Sequence, residues 1–177
     1  QYAIQVAKDN GCLISFDPNL RLSLWKTPEE ARKRILYGMK QCDIMKISEE
    51  EVAFVSEQES LEKGVSFIRD NSDIKILFVT LGNKGSIAYY KDEKIYCGGI
   101  HQEHVVDTTG AGDTFCGAVL SRILELGTDA LTEKDIREML LFANAAASIV
   151  VTRKGALCSM PEPEEIRAAS SLIDKVL

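Results

Sequence analysis

Short apolar runs of strand length alternate along this chain with amphipathic stretches that open on helix-capping residues, and this alternation restricts the fold more than any other feature. Cys12 to Phe16 is an apolar run closed by Asp17-Pro18-Asn19, the pattern of a buried strand and a turn. Thr27-Pro28-Glu29-Glu30 then has the order of a helix start: a hydroxyl to cap, proline at the first position, acids in the first turn. Ala31, Ile35, Leu36 and Met39 carry that helix to about Gln41. Asp43 to Ile47 is a second strand, and Ser48-Glu49-Glu50-Glu51 has the capping-box form ahead of Val52, Phe54 and Val55. A helix over Leu61 to Asp70 and a β-prone run from Ile74 to Leu81 follow. Asn83-Lys84-Gly85 turns the chain, and Ser86 to Tyr90 pairs with Lys94 to Cys97 as a hairpin around Lys91-Asp92-Glu93. Strands alternating with helices indicate an α/β fold, three layers deep, with a largely parallel sheet.

Beyond the hairpin lies Asp107-Thr108-Thr109-Gly110-Ala111-Gly112-Asp113, running without a break into Phe115, Ala118, Val119, Ile123 and Leu126 at helical spacing. A turn of small residues that opens directly into a helix leaves backbone N–H groups of Gly110 to Asp113 unpaired, at the end carrying partial positive charge. Such a turn seats an anion, phosphate above all. Asp113 has two readings: it caps the helix, or it is a carboxylate placed beside a phosphate to do acid–base work. Thr132 to Asp135 begins another capped helix, through Ile136, Met139, Leu140, Phe142 and Ala143 to about Val151. The small residues Ala143 to Ser148 predict close helix packing there. Arg153-Lys154-Gly155-Ala156 ends it, and Pro161-Glu162-Pro163 leads into a last amphipathic helix through Ile166, Leu172 and Val176.

The 177 residues suffice for one domain with a sizeable core. A net charge of −6 without a basic stripe argues against nucleic acid as partner. No apolar run approaches a membrane span, so no membrane partner is expected. Cys12, Cys42, Cys97, Cys116 and Cys158 are dispersed and odd in number, which suits free thiols in a reducing cytoplasm. His101 and His104 lack companion ligands for a metal. Gln1 to Asn10 reads as the end of a helix already under way, stopped at Asn10-Gly11, as in a piece of a longer protein.

In parallel sheets ligands gather at the carboxyl ends of the strands, where Asp17 to Arg21, Lys46 to Glu51, Thr80 to Gly85 and Asp107 to Asp113 fall in this reading. A P-loop, G-x-x-x-x-G-K-[ST], is absent, and Gly110-Ala111-Gly112 lacks the third glycine of a dinucleotide fingerprint. Phosphoryl transfer with Asp113 as base remains.

The stretch Asp107 to Phe115 closely resembles the C-terminal signature of ribokinase-like (PfkB-type) sugar kinases, and the resemblance runs in order along nearly the whole chain. Asp17-Pro18-Asn19-Leu20-Arg21 with Trp25 looks most like the fructokinase branch. The resemblance implies ATP-dependent phosphorylation of a sugar, fructose first, with ribose, 2-keto-3-deoxygluconate or a nucleoside as other substrates. It implies Asp113 as base and Gly110, Ala111 and Gly112 as the anion hole, with Arg21 near the transferred phosphate or the sugar. Thr80, Gly82, Lys84 and Gly85 would belong to the nucleotide loop, and Asn144 would lie on the adenine side of ATP. Ser48 stands where the family's magnesium motif has asparagine, and Glu51 would organise magnesium through water. Asp107 and Thr109, with carbonyls at Val150, Arg153, Gly155 and Ser159, match the potassium loop of cation-dependent members. Family members are longer, so the resemblance implies that the N-terminal part with its strand lid is missing here. That would bare a sheet edge and favour a homodimer. A non-catalytic nucleotide-binding fragment is the alternative.

Overall fold

The computed structural model of the protein describes residues 1–173; the expected helical contribution of Val176, and the side chain of Leu172, lie outside the described residues. The chain divides into two compact units, Gln1–Thr80 with Tyr89–Asp92, and Leu81–Ala88 with the chain from Glu93 onward.

The first unit contains α1 (Tyr2–Asp9), β1 (Ser15–Phe16), α2 (Pro28–Met39), β2 (Ile44–Ser48), α3 (Glu49–Ser56), α4 (Leu61–Asp70) and β3 (Ile76–Thr80). The three strands are parallel, with Ser15 opposite Ile44 and Ile44 opposite Ile76, ending at Ser48 opposite Thr80. Every residue of β2 and β3 except the terminal Ser48 and Thr80 is buried, as parallel strands covered on both faces require. Met45, Ile47, Phe78 and Val79 have no exposed surface; burying each such side chain is worth about 1.5–3 kcal/mol. Lys46 is the one charge within these runs.

The helix starts follow the sequence. Thr27 Oγ1 accepts from the Glu30 N–H at the head of α2, and Ala31, Ile35 and Met39 turn one stripe inward. Ser48 and Glu51 form the reciprocal capping box of α3. Strand β1 is shorter than the Cys12–Phe16 run predicted. Ahead of it the Ile14 N–H donates to the Asp43 carboxylate (2.8 Å) and its carbonyl accepts from the Asp43 N–H (2.8 Å), so the apolar run is anchored without extending the ladder. At Gly38, α2 lies against the Phe16 ring so closely that a Cβ would stand 2.6 Å from it. Helix α1 buries none of its residues.

The second unit holds the first residues of β4 (Gly85–Tyr90), β5 (Glu93–Gly98), α5 (Ala111–Leu126), α6 (Glu133–Val150) and α7 (Pro163–Ile173). Strand β4 passes from this unit into the first, and the strand order is β1-β2-β3-β4-β5. Lys91-Asp92 joins β4 to β5 with Lys91 at φ 50, a turn one residue tighter than Lys91-Asp92-Glu93. Phe115, Val119 and Ile123 are the buried stripe of α5, whereas Leu126, assigned to that stripe from its spacing, is 41% exposed in the helix's last turn. Ala143, Ala145 and Ala146 of α6 are wholly buried, which bears out the close packing read from the small-residue run. Among the described residues no helix is long and apolar enough to cross a membrane.

Candidate functional site

In the first unit the loop after β1 is held by charge. Carrying the parallel register one residue past Phe16 and Met45 sets Asp17 beside Lys46, and Lys46 Nζ lies 3.2 Å from Asp17 Oδ2. Burial pushes the Asp17 carboxyl above its ordinary value; the Lys46 ammonium draws it back down and Glu51 adds to the rise. Asp17 Oδ1 also accepts from the Asn19 N–H (3.1 Å), which closes a turn with Asn19 at φ 42. Glu51 uses both oxygens: one accepts from the Ser48 N–H (2.9 Å), the other from the Leu20 N–H (2.6 Å). Ser48 is accordingly a helix cap, its hydroxyl accepting from the Glu51 N–H (3.2 Å). Arg21 is exposed, and with Lys46, Ser48, Glu50, Glu51 and Phe54 it lines a hollow of about 630 Å³. Thr80, opposite Ser48, ends the neighbouring strand. The carboxyl ends of these parallel strands therefore gather Arg21, Ser48, Glu51 and Thr80, as the strand-end argument predicts.

In the second unit Gly110 is the N-cap of α5 at φ 85, and no side chain caps that helix. Asp113 lies inside the first turn, exposed to solvent. The capping reading of Asp113 is thereby set aside, since the cap is a glycine in the left-handed region. The anion seat is narrower than the sequence suggests. The Ala111 N–H donates to the Thr108 carbonyl (3.3 Å) and the Thr114 N–H to Gly110 (2.8 Å), leaving Gly110, Gly112 and Asp113 as the N–H groups outside the backbone ladder among the described residues.

Asp107 is tied on both oxygens, by the Thr109 N–H (2.9 Å) and the Gly155 N–H (3.3 Å). These hydrogen bonds, those from Thr109 first, hold its carboxyl below the usual range. Asp107 thus joins the start of the anion turn to the segment after α6, where a Cβ on Gly110 would stand 3.3 Å from Ala156. There the Val150 carbonyl accepts from the Arg153 N–H (3.0 Å), the Gly155 carbonyl from the Ser159 hydroxyl (2.6 Å), and the Ser159 carbonyl from the Arg153 guanidinium (3.5 Å). Each carbonyl keeps a second lone pair, and a hard oxygen set of this kind suits an alkali cation better than a transition metal. No cluster of three or more His, Cys, Asp or Glu side chains able to hold a metal occurs among the described residues.

The Gly82–Lys84 segment is a single 3-10 turn pressed against the end of β5. Gly85 at φ 106 and Gly99 meet backbone so closely that any Cβ would overlap Cys97 to Gly99 at the first position and Asn83 at the second. The Lys84 carbonyl accepts from the Tyr96 hydroxyl (2.7 Å) and the Gly99 N–H (3.1 Å). Asn144 also has a structural task within the second unit. It is buried, its carbonyl accepts from the Ser86 hydroxyl (2.9 Å), and its amide donates to the Cys97 and Gly98 carbonyls (3.2 Å each). It pins α6 to the hairpin that carries the Gly82–Gly85 turn.

Sequence reasoning placed Lys46 and Leu20 in strand-end stretches without giving either a task, and it gave none to Ser86 or Gly99. Only Lys46 gave a signal: a charge inside the apolar run Ile44-Met45-Lys46-Ile47.

The pattern of the pfkB family carbohydrate kinases matches residues 1–163. Fructokinase-1 of Oryza sativa subsp. japonica is 42% identical over 166 residues, covering 93% of this chain and 50% of the rice protein. Probable fructokinase-4 of Arabidopsis thaliana is 40% identical over 168 residues, 94% of this chain and 51% of that protein. Fructokinase from Vibrio cholerae O395, solved with fructose, ADP and calcium bound, superposes with a TM-score of 0.85 at 33% identity, over 94% of this chain and 53% of that one. A double mutant of the Vibrio cholerae enzyme, solved with fructose, ADP and potassium, superposes equally well. The chain spans about half the length of these relatives. Its fold is the three-layer α/β/α ribokinase-like fold. A match over residues 1–163, supported by relatives at 40% and 42% identity, places the chain in the pfkB family of carbohydrate kinases.

Proposed function

We propose that the chain is the nucleotide-binding and catalytic portion of an ATP-dependent sugar kinase acting on fructose at its 6-hydroxyl. The observation that carries this reading is the turn before α5, where an exposed Asp113 stands in the first turn beside the unladdered N–H groups of Gly110 and Gly112. The sugar oxygen forms its bond to the γ-phosphorus while the bond from that phosphorus to the βγ-bridging oxygen breaks. The bond's electron pair leaves with ADP, and the hydroxyl proton passes to Asp113. The glycine N–H groups and the helix end meet charge on the transferred oxygens, and Arg21 serves an anionic group of the substrates or the sugar. Thr80, Gly82, Lys84 and Gly85 form the nucleotide loop, Asn144 bracing it from behind. Magnesium bound with ATP would neutralise charge developing on the phosphates. Glu51 would hold it through water, each of its carboxylate oxygens already accepting one backbone N–H. Potassium would sit on Asp107, Thr109 and the carbonyls of Val150, Arg153, Gly155 and Ser159. A homodimer is the expected assembly, with β1, paired with β2 alone among the described residues, as the edge that would carry it.

The second reading is nucleotide binding without transfer, as a fragment or a fructokinase-like regulator. Calorimetry with ATP and with fructose, ribose and 2-keto-3-deoxygluconate separately, together with ADP release, separates the two. Fructose-dependent ADP release that disappears in Asp113→Asn while ATP heat persists supports the kinase. ATP heat with no sugar effect supports binding alone, and turnover retained in Asp113→Asn removes the base assignment.

A further inference from the structure

We propose that Lys46 and Glu51 are positioning residues that fasten the loop of residues 17–21 at its two ends and thereby fix where the Arg21 guanidinium stands. The catalytic consequence rests on the kinase reading; the clamp itself does not.

Three observations carry it. Lys46 is 7% exposed in a strand whose neighbours Met45 and Ile47 are wholly buried. An ammonium there is costly unless paired, and an apolar residue would serve packing better. Its partner is Asp17, the first residue of the loop, whose other oxygen holds the Asn19 turn. Second, a capping box needs only one Glu51 oxygen, on Ser48. The other oxygen reaches across 31 residues to the Leu20 N–H, at 2.6 Å the shorter of the two bonds. Third, only Pro18 and Asn19 separate the fastened points, and Pro18 has its φ fixed by its ring. Arg21 follows at once. Its guanidinium donates to the Leu20 carbonyl (3.1 Å) and meets no carboxylate among the described residues, which leaves it for an anionic ligand in the hollow it lines.

Lys46 has a second effect. Asp17 and Arg21 lie four residues apart on one short loop, and a carboxylate released from Lys46 competes with the ligand for the guanidinium. The ammonium therefore both anchors the loop and keeps Arg21 uncommitted.

The test uses the full chain with Glu51→Gln, Lys46→Met and Lys46→Met/Asp17→Asn, each also made in an Arg21→Ala background. Amide hydrogen exchange at Leu20 reads the clamp without reference to activity, with the Phe78 amide of β3 as the folding control. Glu51→Gln is expected to speed Leu20 exchange about tenfold with Phe78 unchanged, as loss of a local fastening does. Unchanged Leu20 exchange overturns the clamp. Calorimetric affinity for inorganic tripolyphosphate, and kcat where fructose-dependent turnover is found, read the consequence. Glu51→Gln and Lys46→Met should each lower them about tenfold with Arg21 present and less than about twofold without it, the non-additivity of residues acting through one group. Equal losses in both backgrounds, or recovery of Glu51→Gln by raised Mg²⁺, overturn the role through Arg21. Lys46→Met/Asp17→Asn, which removes the competing carboxylate, should regain at least about threefold of the Lys46→Met loss, and no recovery overturns the competition. Absent turnover with native fails the kinase reading alone, because the exchange and tripolyphosphate results still decide the clamp.

Discussion

Two glycines in the same turn separate backbone strain from steric overlap, and substituting each with alanine gives a measurable difference. Gly82 has φ 61 and open space around a would-be Cβ; Gly85 has φ 106 and ψ −138, with a Cβ that would lie 2.6 Å from the Gly98 carbonyl carbon and closer still to the Cys97 oxygen. Gly82→Ala should cost only the left-handed penalty, about 1–2 kcal/mol. Gly85→Ala pays about 1–3 kcal/mol for a region that only glycine enters readily. It must also push the turn away from residues 97–99 by roughly an ångström, since carbon atoms settle about 3.5–4.0 Å apart. That displacement strains the hydrogen bonds onto the Lys84 carbonyl from Tyr96 and Gly99, each worth about 0.5–1.5 kcal/mol. Gly85→Ala should therefore destabilise the protein by about 3–5 kcal/mol. Urea unfolding followed by circular dichroism, with m compared between variants, gives both values. If Gly85→Ala is no more destabilising than Gly82→Ala at equal m, the close approach of the turn to the hairpin is not what fixes the loop.

Asn144→Ala removes a buried amide and its hydrogen bonds with the Ser86 hydroxyl and the Cys97 and Gly98 carbonyls, so a loss of about 2–4 kcal/mol is expected by urea unfolding; a loss below about 1 kcal/mol would show those groups satisfied otherwise. Asp107 has its carboxyl held below the usual range, so its contribution is present above the ordinary value near about 3.9 and is lost as pH falls through the lower folded value. Asp107→Asn should consequently flatten the acid limb of a stability–pH curve below about pH 4, and an unaltered limb would refute the tie to Thr109 and Gly155. Burial pushes the Cys42 thiol up to about 12, whereas Cys12 and Cys158 are exposed. Iodoacetamide at neutral pH should alkylate the latter two and spare Cys42, read by peptide mass spectrometry; comparable labelling of Cys42 would contradict its burial.

What the sequence made legible was short in range. The capping box at Ser48 and Glu51, the proline start at Pro28, the Leu61–Asp70 helix and the glycine turn before Asp113 depend on residues within about a helical turn of each other, and all four stand in the structure. What escaped is long in range, and it is the part that gives the polar residues their tasks. Glu51 reads locally as half of a cap, but its free oxygen is taken by Leu20, a residue with no side-chain signal because it acts through its N–H. Asn144 reads as a ligand contact by resemblance, and nothing local tells that its amide also donates to carbonyls 46 and 47 residues away. Gly99 carries no pattern at all, since its need for glycine comes from the Asn83 backbone lying where a Cβ would be. Among the described residues the long-range bonds pass over Arg21 in the first unit and, in the second, Asp113, exposed at a helix start whose cap is a glycine; these are the residues to which the proposed kinase reading gives the anion and the proton.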